Sequence, residues 1–280
     1  MLDLDFEELD RYLLNQNGRI IHQVWFGTIP NRFIASKEYK KLKKYRDSWI
    51  VKNPTWFRFE WNVKLSERLV KTFYPEHYEM YRFFPYQIQR CDMVRYCFLH
   101  RYGGLYTDMD YFCNKPFDFV LEKYKNDFYL VQTPNMPGEY VSNSLMYSSP
   151  KHIFWTTLLI AMQSNRNPPI YYSRHLIIMY TAGPGIVNRI YQEYKIRYKL
   201  KSFPHKFFQP FGTSDDIISL KVPEAYTIHA SKGCWHSNDS SIIVIICKNW
   251  VIFLFIILVM VGVNYGYYLF SSKKPKIIDK

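Results

Sequence analysis

Cysteine is scarce and shows no pairing pattern: five residues, an odd number, without one C-x-x-C pair. A zinc ribbon or a dense disulfide scaffold is therefore not expected. No internal repeat runs through the 280 residues. Acids are the minority charge, 24 against 37 Lys plus Arg, which leaves a formal charge of +13. Such a balance favours anionic partners: nucleic acid, phosphorylated substrates or an anionic membrane face. The N-terminal stretch MLDLDFEELDRYLLNQNGRI is acidic and amphipathic, with Leu4, Leu9 and Leu13 among carboxylates, and it does not read as a signal peptide. With 48% apolar and 22% charged residues the chain suits a packed globule and not a disordered or collagen-like one.

Near the C-terminus the composition changes sharply. Trp250 to Phe270 reads WVIFLFIILVMVGVNYGYYLF, 21 residues without a charge. As a helix it would extend ~32 Å, about the thickness of a bilayer's hydrocarbon core. Trp250, Tyr265, Tyr267 and Tyr268 stand where interfacial aromatics are expected. A single-pass membrane protein is the expectation. Orientation stays open: Lys273, Lys274, Lys276 and Lys280 follow the span and would hold the C-terminus in the cytosol, whereas a single C-terminal span without a signal peptide leaves the main domain there.

Upstream, strands alternate with helices, which argues for an α/β sheet. Strands are expected at 20–26, 57–61, 105–111 and 128–132, and helices at 39–51, 65–73, 86–102 and 153–162. Gly103-Gly104 stops the helix that ends at Tyr102. The cluster Lys40-Lys41-Leu42-Lys43-Lys44 reads as a solvated helix face. No RNA-binding aromatic signature or zinc motif accompanies it, so nucleic acid is not an expected partner.

The chemistry begins at Asp108-Met109-Asp110. On a strand, residues i and i+2 share a face, so both carboxylates would aim at one spot. Two hard oxygen donors suit Mg²⁺ or Mn²⁺, which in turn bridges a diphosphate. The spacing alone says little, since Asp3-Leu4-Asp5 repeats it. Asp92 and Arg95 lie i,i+3 on the preceding helix. They form either a surface ion pair of little worth or an acceptor and a forked donor for sugar hydroxyls and phosphate. No classical pair of catalytic carboxylates is visible.

Gln89-Arg90-Cys91-Asp92-Met93-Val94-Arg95-Tyr96, followed by Tyr102-Gly103-Gly104-Leu105-Tyr106-Thr107-Asp108-Met109-Asp110, resembles the core signature of the D-x-D sugar transferases of glycosyltransferase family 32. The resemblance is nearest to its inositol phosphorylceramide mannosyltransferase branch. It extends to Ile20–Gly27, to Ser48-Trp49 with Asn53-Pro54 and Trp61, to Phe84–Arg90, to Ser142–His152, to Thr181-Ala182-Gly183-Pro184 and to Gly233–Asp239. Several spaced motifs in one order are more specific than any one alone.

The resemblance implies a GT-A-type nucleotide-sugar-binding fold over residues 20–240, after an N-terminal amphipathic segment 1–19 and before a transmembrane segment 241–271 and a basic tail 272–280. It implies retaining transfer of a sugar, with GDP-mannose the expected donor and an inositol phosphorylceramide-like lipid or another glycan the acceptor. It also implies an internal membrane of the Golgi or endoplasmic reticulum and a possible regulatory subunit. Asp92, Arg95 and Asn143 would hold and turn over the donor sugar. Asp108 and Asp110, with His229, would hold Mn²⁺ or Mg²⁺. Trp25, Asp108, Trp235 and His236 would bind the rest of the donor. Two departures bear on this set: Ala230 stands where a second His is expected, and Cys234 replaces a usual Ser.

Overall fold

The computed structural model describes residues 5–27, 37–134, 136, 138–211, 222–230, 239 and 259–263. The chain forms two compact units, one of Met1–Tyr172 with Leu176–Cys234, the other of Ser173–His175 with Trp235–Lys280. Among the described residues no helix is long and apolar enough to cross a membrane. The apolar run 250–270 lies outside them except for 259–263, which are helical.

In the first unit, α1 (Phe6–Leu14) precedes β1 (Ile20–Val24), α2 (Lys37–Lys52) and β2 (Phe57–Trp61). Then come α3 (Val63–Phe73), α4 (Pro75–Phe83), α5 (Gln87–Tyr102), β3 (Gly104–Thr107) and β4 (Tyr111–Cys113). The remainder is α6 (Phe117–Tyr124), β5 (Phe128–Gln132), β6 (Val141–Ser148), α7 (Ile153–Ser164), α8 (Arg174–Thr181), α9 (Pro184–Tyr194), β7 (Lys201–Phe203), α10 (His205–Phe208) and β8 (Thr227–His229). Six strands make a mixed sheet in the order β2-β1-β3-β6-β5-β7, and β4 with β8 makes a second, two-stranded one. β6 runs antiparallel to both neighbours, while β2, β1 and β3 are parallel.

Alternation along the strands sends side chains to opposite faces. Ile20, Tyr106, Phe128, Leu130 and Met146 join one core, which also takes Phe6, Leu9 and Leu13 of α1 and most of α5. Ile21, Leu105, Tyr129, Val131 and Leu145 join the other, with Trp49, Phe117 and Phe203. Helix α5 is buried nearly all round, from Gln89 to Tyr102, and so sits inside the fold and not on its surface.

The turn after α5 aims β3. Gly103 has φ +67° and Gly104 φ +94°, a region that disfavours any Cβ. A Cβ at Gly104 would come within 2.5 Å of the Ile20 carbonyl oxygen. Buried His22 fixes the same turn. Its Nε2–H donates to the Gly103 carbonyl at 2.9 Å, and its Nδ1 accepts from Trp61 Nε1 at 3.0 Å. Burial pushes this imidazole down to about 3, so it stays neutral in the one tautomer the two bonds allow.

Gly104→Ala is expected to lower unfolding stability by at least about 2 kcal/mol, from strained φ and backbone contact. Urea denaturation checks this; an unchanged midpoint would contradict the close packing of the turn on β1.

Candidate active site at the Asp-Met-Asp turn

The expected strand 105–111 is two strands with a turn between them. β3 ends at Thr107, and residues 108–110 bend before β4 begins. The Asp108 amide donates to the Ser144 carbonyl at 2.9 Å, and the Tyr111 amide donates back to the Asp108 carbonyl at 3.3 Å. Asp is a turn-forming residue, and the local bend overrides the strand pattern. The two carboxylates still converge, but through the turn and not through strand alternation.

Helix α2 fastens the far side of this turn. Trp49 Nε1 donates to the Tyr111 carbonyl at 3.0 Å, and Ser48 Oγ accepts from the Cys113 amide at 2.8 Å. β8 then pairs antiparallel with β4 in a register that sets His229 opposite Tyr111. The Ala230 amide donates to the Asp110 carbonyl at 3.0 Å. His229 stacks on the Tyr111 ring at 4.2 Å and places Nε2 3.0 Å from Asp110 Oδ1. Burial would push this imidazole down, but the Asp110 carboxylate outweighs it and holds His229 above the ordinary range. Ligand atoms of Asp108, Asp110 and His229 all lie within 4.8 Å of one another. Two carboxylates and an imidazole are a donor set that fits Mn²⁺.

On the other side of Asp108 lies Arg95. Its guanidinium is 3.3 Å from Asp92 Oδ1 and 3.3 Å from Asp108 Oδ1, and it donates to the Asn143 carbonyl at 3.1 Å. It also lies 4.7 Å from the Tyr106 ring centroid, and the Tyr106 hydroxyl donates to Asp108 Oδ1. The Asn143 side-chain amide donates to Asp92 Oδ1 at 3.0 Å and to the Tyr96 hydroxyl oxygen at 2.8 Å. The side chains of Arg95 and Asp92 are 9% and 4% exposed, so theirs is no surface pair. Burial raises Asp92 to about 7, against the pull of Arg95 and Asn143. Its neighbour Arg95 is held well above the ordinary range, because Tyr106 and both carboxylates outweigh its desolvation. Asp108 is raised by burial and by Asp110, which together exceed the attraction of Arg95.

Buried charge is tolerated when fully paired. Here the pairing is incomplete. Asp92 Oδ2 and Arg95 Nε are buried and lack a hydrogen-bond partner. Buried polar atoms without partners call for an explanation, and in this cluster a ligand's polar groups supply one.

Beside the turn, Trp25, Tyr39, Leu42, Lys43, Arg46, Glu60 and Met109 line an open pocket. Met109 is the middle residue of the turn, so this pocket adjoins the carboxylates directly. The Trp25 Nε1–H and Arg46 Nε are buried without hydrogen-bond partners.

Asp92, Arg95, Asn143, Asp108, Asp110 and His229 thus form one connected cluster, and Trp25 lines the adjoining pocket. Trp235 and His236 lie outside the described residues. Tyr106, Glu60 and Arg46 were not singled out from sequence. Tyr106 carried a usable signal, since it stands two residues before Asp108; the other two carried none.

Residues 40–127 match the family described as "Glycosyltransferase sugar-binding region containing DXD motif". The matched stretch runs from α2 through α5 and the Asp-Met-Asp turn to α6. Inositol phosphoceramide mannosyltransferase 3 of Schizosaccharomyces pombe is 26% identical over 250 residues, 85% of this chain and 61% of the relative. Mannosyl phosphorylinositol ceramide synthase CSH1 of Saccharomyces cerevisiae is 27% identical over 232 residues, 80% of this chain and 54% of the relative. The chain therefore spans between half and two thirds of the length of these relatives. Among solved structures, the glycosyltransferase GlyE of Streptococcus pneumoniae is similar at 11% identity and a TM-score of 0.46, over 79% of this chain and 55% of that one.

Mn²⁺ titration followed by electron paramagnetic resonance tests the donor set. Asp110→Asn and His229→Asn are each expected to weaken Mn²⁺ binding at least ~10-fold, the scale seen when a supporting group is lost. Wild-type affinity in both variants would contradict the cluster as a cation site.

Proposed function

We propose that this chain is a membrane-anchored, metal-dependent retaining glycosyltransferase of GT-A type, moving mannose from GDP-mannose to an inositol phosphorylceramide-like lipid. The observation that carries the proposal is the continuity of the cluster. Arg95 joins Asp92 and Asn143 on one side to Asp108, Asp110 and His229 on the other. A nucleotide sugar needs just this succession: acceptors for sugar hydroxyls, then positive charge and a cation at the diphosphate, then an aromatic-lined pocket for the base.

In this reading Asp92 and Asn143 hold sugar hydroxyls, and the unpartnered Asp92 Oδ2 accepts one of them. Arg95 steadies the donor between sugar and diphosphate. Trp25 packs on the base. Glu60 and Arg46 in the same pocket favour guanine, whose edge offers two adjacent N–H donors to a carboxylate and an O6 acceptor to a guanidinium. Asp108, Asp110 and His229 would hold Mn²⁺ or Mg²⁺. Bound there, the cation supplies Lewis-acid stabilisation of charge on the leaving diphosphate. Transfer proceeds on one face of the sugar. The bond from the anomeric carbon to the diphosphate oxygen breaks, the bond to the acceptor oxygen forms, and the acceptor's proton passes to the leaving phosphate. The chain supplies no nucleophile in this scheme; its contribution is orientation and exclusion of water.

The relatives' names indicate mannosyl transfer in sphingolipid synthesis. The 21-residue apolar run, within a segment 241–271, supplies the anchor in this proposal and holds residues 20–240 near a lipid acceptor of an internal membrane. Anchoring raises the effective concentration of enzyme at that surface without any new contact.

Donor hydrolysis by the full-length protein with Mn²⁺ tests the proposal across GDP-mannose, UDP-glucose and UDP-galactose. GDP-mannose is expected to be consumed, and Asp92→Asn to lower the rate at least ~100-fold. Donor binding without turnover would point to a required acceptor or partner subunit. Preference for a UDP-sugar, or no donor binding at all, would contradict the proposal.

A further inference from the structure

The connection between α7 and α8 presents apolar side chains to solvent in an ordered turn. The Tyr172 amide donates to the Pro169 carbonyl at 3.0 Å, closing a four-residue turn with Ile170 and Tyr171 at its corner. Pro168 and Pro169 stiffen its approach, since each fixes φ. Ile170 is 101% exposed and Tyr171 81%. Single exposed apolar residues need no explanation. This pair is different, because an aromatic ladder backs it. Tyr171 meets Tyr172 and Tyr172 meets Tyr180, each at 5.4 Å between ring centroids, and the Arg189 guanidinium lies 6.0 Å from the Tyr180 ring.

The sequence flanking the turn is one-sided in charge. From Tyr140 to Gln192, 53 residues, there is no Asp or Glu, whereas Lys151, Arg166, Arg174 and Arg189 are all basic. At the chain's average composition about four or five acids would fall in such a stretch. Asp239 accepts from the His175 amide at 2.7 Å, and Glu139 and Asp92 accept from Tyr191 and Asn143 at the two ends of the stretch. Ser173–His175 belong to the compact unit that also holds Trp235–Lys280, and hence the apolar run 250–270. Ile170 is three residues from Ser173, about 10 Å at full extension.

From the exposed apolar corner, the tyrosine ladder, the acid-free flanking sequence and the chain continuity with the apolar run, we infer that the Pro169–Tyr172 turn inserts into an anionic bilayer surface. Ile170 and Tyr171 enter the boundary between head groups and acyl chains. Tyr172 and Tyr180 lie at head-group level, where amphipathic rings are favoured. The exposed Arg166 and Arg189 meet lipid phosphates and carboxylates. This contact would give the first unit a footing of its own on the membrane surface. The inference rests on the membrane reading above and is tested apart from catalysis.

Full-length protein in phosphatidylcholine–phosphatidylserine vesicles, carrying an environment-sensitive fluorophore at Ile170→Cys, reports depth against lipids with a shallow nitroxide quencher. Val51→Cys is the comparison, an apolar position 73% exposed at the end of α2. Labelled wild type supplies the background from native cysteines. The expected result is quenching at 170 several-fold above that at 51, and weaker in pure phosphatidylcholine. Equal quenching at the two positions, or failure of the full chain to float with the vesicles, overturns the inference. A second variant, Ile170→Asp with Tyr171→Asp, is expected to raise KM for a vesicle-borne lipid acceptor ~10-fold while leaving donor hydrolysis unchanged. An unchanged acceptor KM also overturns it. Depth is read without turnover, so quenching in a protein that binds no donor would sink the transferase reading and leave the membrane contact standing.

Discussion

A guanidinium with 9% side-chain exposure is costly unless its surroundings answer its charge. Arg95 is answered by two carboxylates, a backbone carbonyl and the face of a tyrosine. Every one of those partners belongs to a different part of the cluster. Asp92 is on α5, Asp108 on the turn, Asn143 on β6 and Tyr106 on β3. Truncating Arg95 would leave buried Asp92 and half-buried Asp108 without their shared cation, with only Asn143 and Tyr106 still donating to them. The planar fork matters as much as the charge, because its two ends reach Asp92 and Asp108 simultaneously.

The rest of the fold serves to place that arginine. Its helix is the central one, packed on nearly all sides, which removes freedom from its side chains. The paired glycines end the helix and press β3 against β1 so closely that no Cβ fits at Gly104. His22, neutral and stacked on Phe98, ties the same turn to the first strand. β6 then enters antiparallel to β3 and brings Asn143 over Asp92. Below the turn, α2 and β8 hold β4, and the β4–β8 register sets His229 against Asp110.

Local signals in the sequence were enough for the central helix, its Gly-Gly stop and the convergence of the two aspartates. They failed where the outcome depends on distant pairing. The run 105–111 has strand composition throughout, but Asp108 bonds to β6 and to its own Tyr111, and the strand breaks there. Asp92 and Arg95 read equally as a surface pair, since i,i+3 spacing says nothing about what packs over a helix. His229 stood in a motif weakened by Ala230. The structure shows the Ala230 amide engaged with the Asp110 carbonyl, a backbone contact that no side-chain pattern reveals. The pocket residues Arg46 and Glu60 come from a helix and a strand joined only in three dimensions, and neither carried a mark in the sequence.

Arg95→Lys is the most direct test of this account, because it keeps the positive charge and removes the fork. Mn²⁺ affinity and GDP-mannose affinity are measured on the same folded variant, with the far-ultraviolet circular dichroism of wild type as the criterion of folding. Both affinities are predicted to fall together, each at least ~10-fold, since one side chain positions both sides of the cluster. If either affinity stays at the wild-type value in the folded variant, Arg95 does not join the two sides, and the central claim fails.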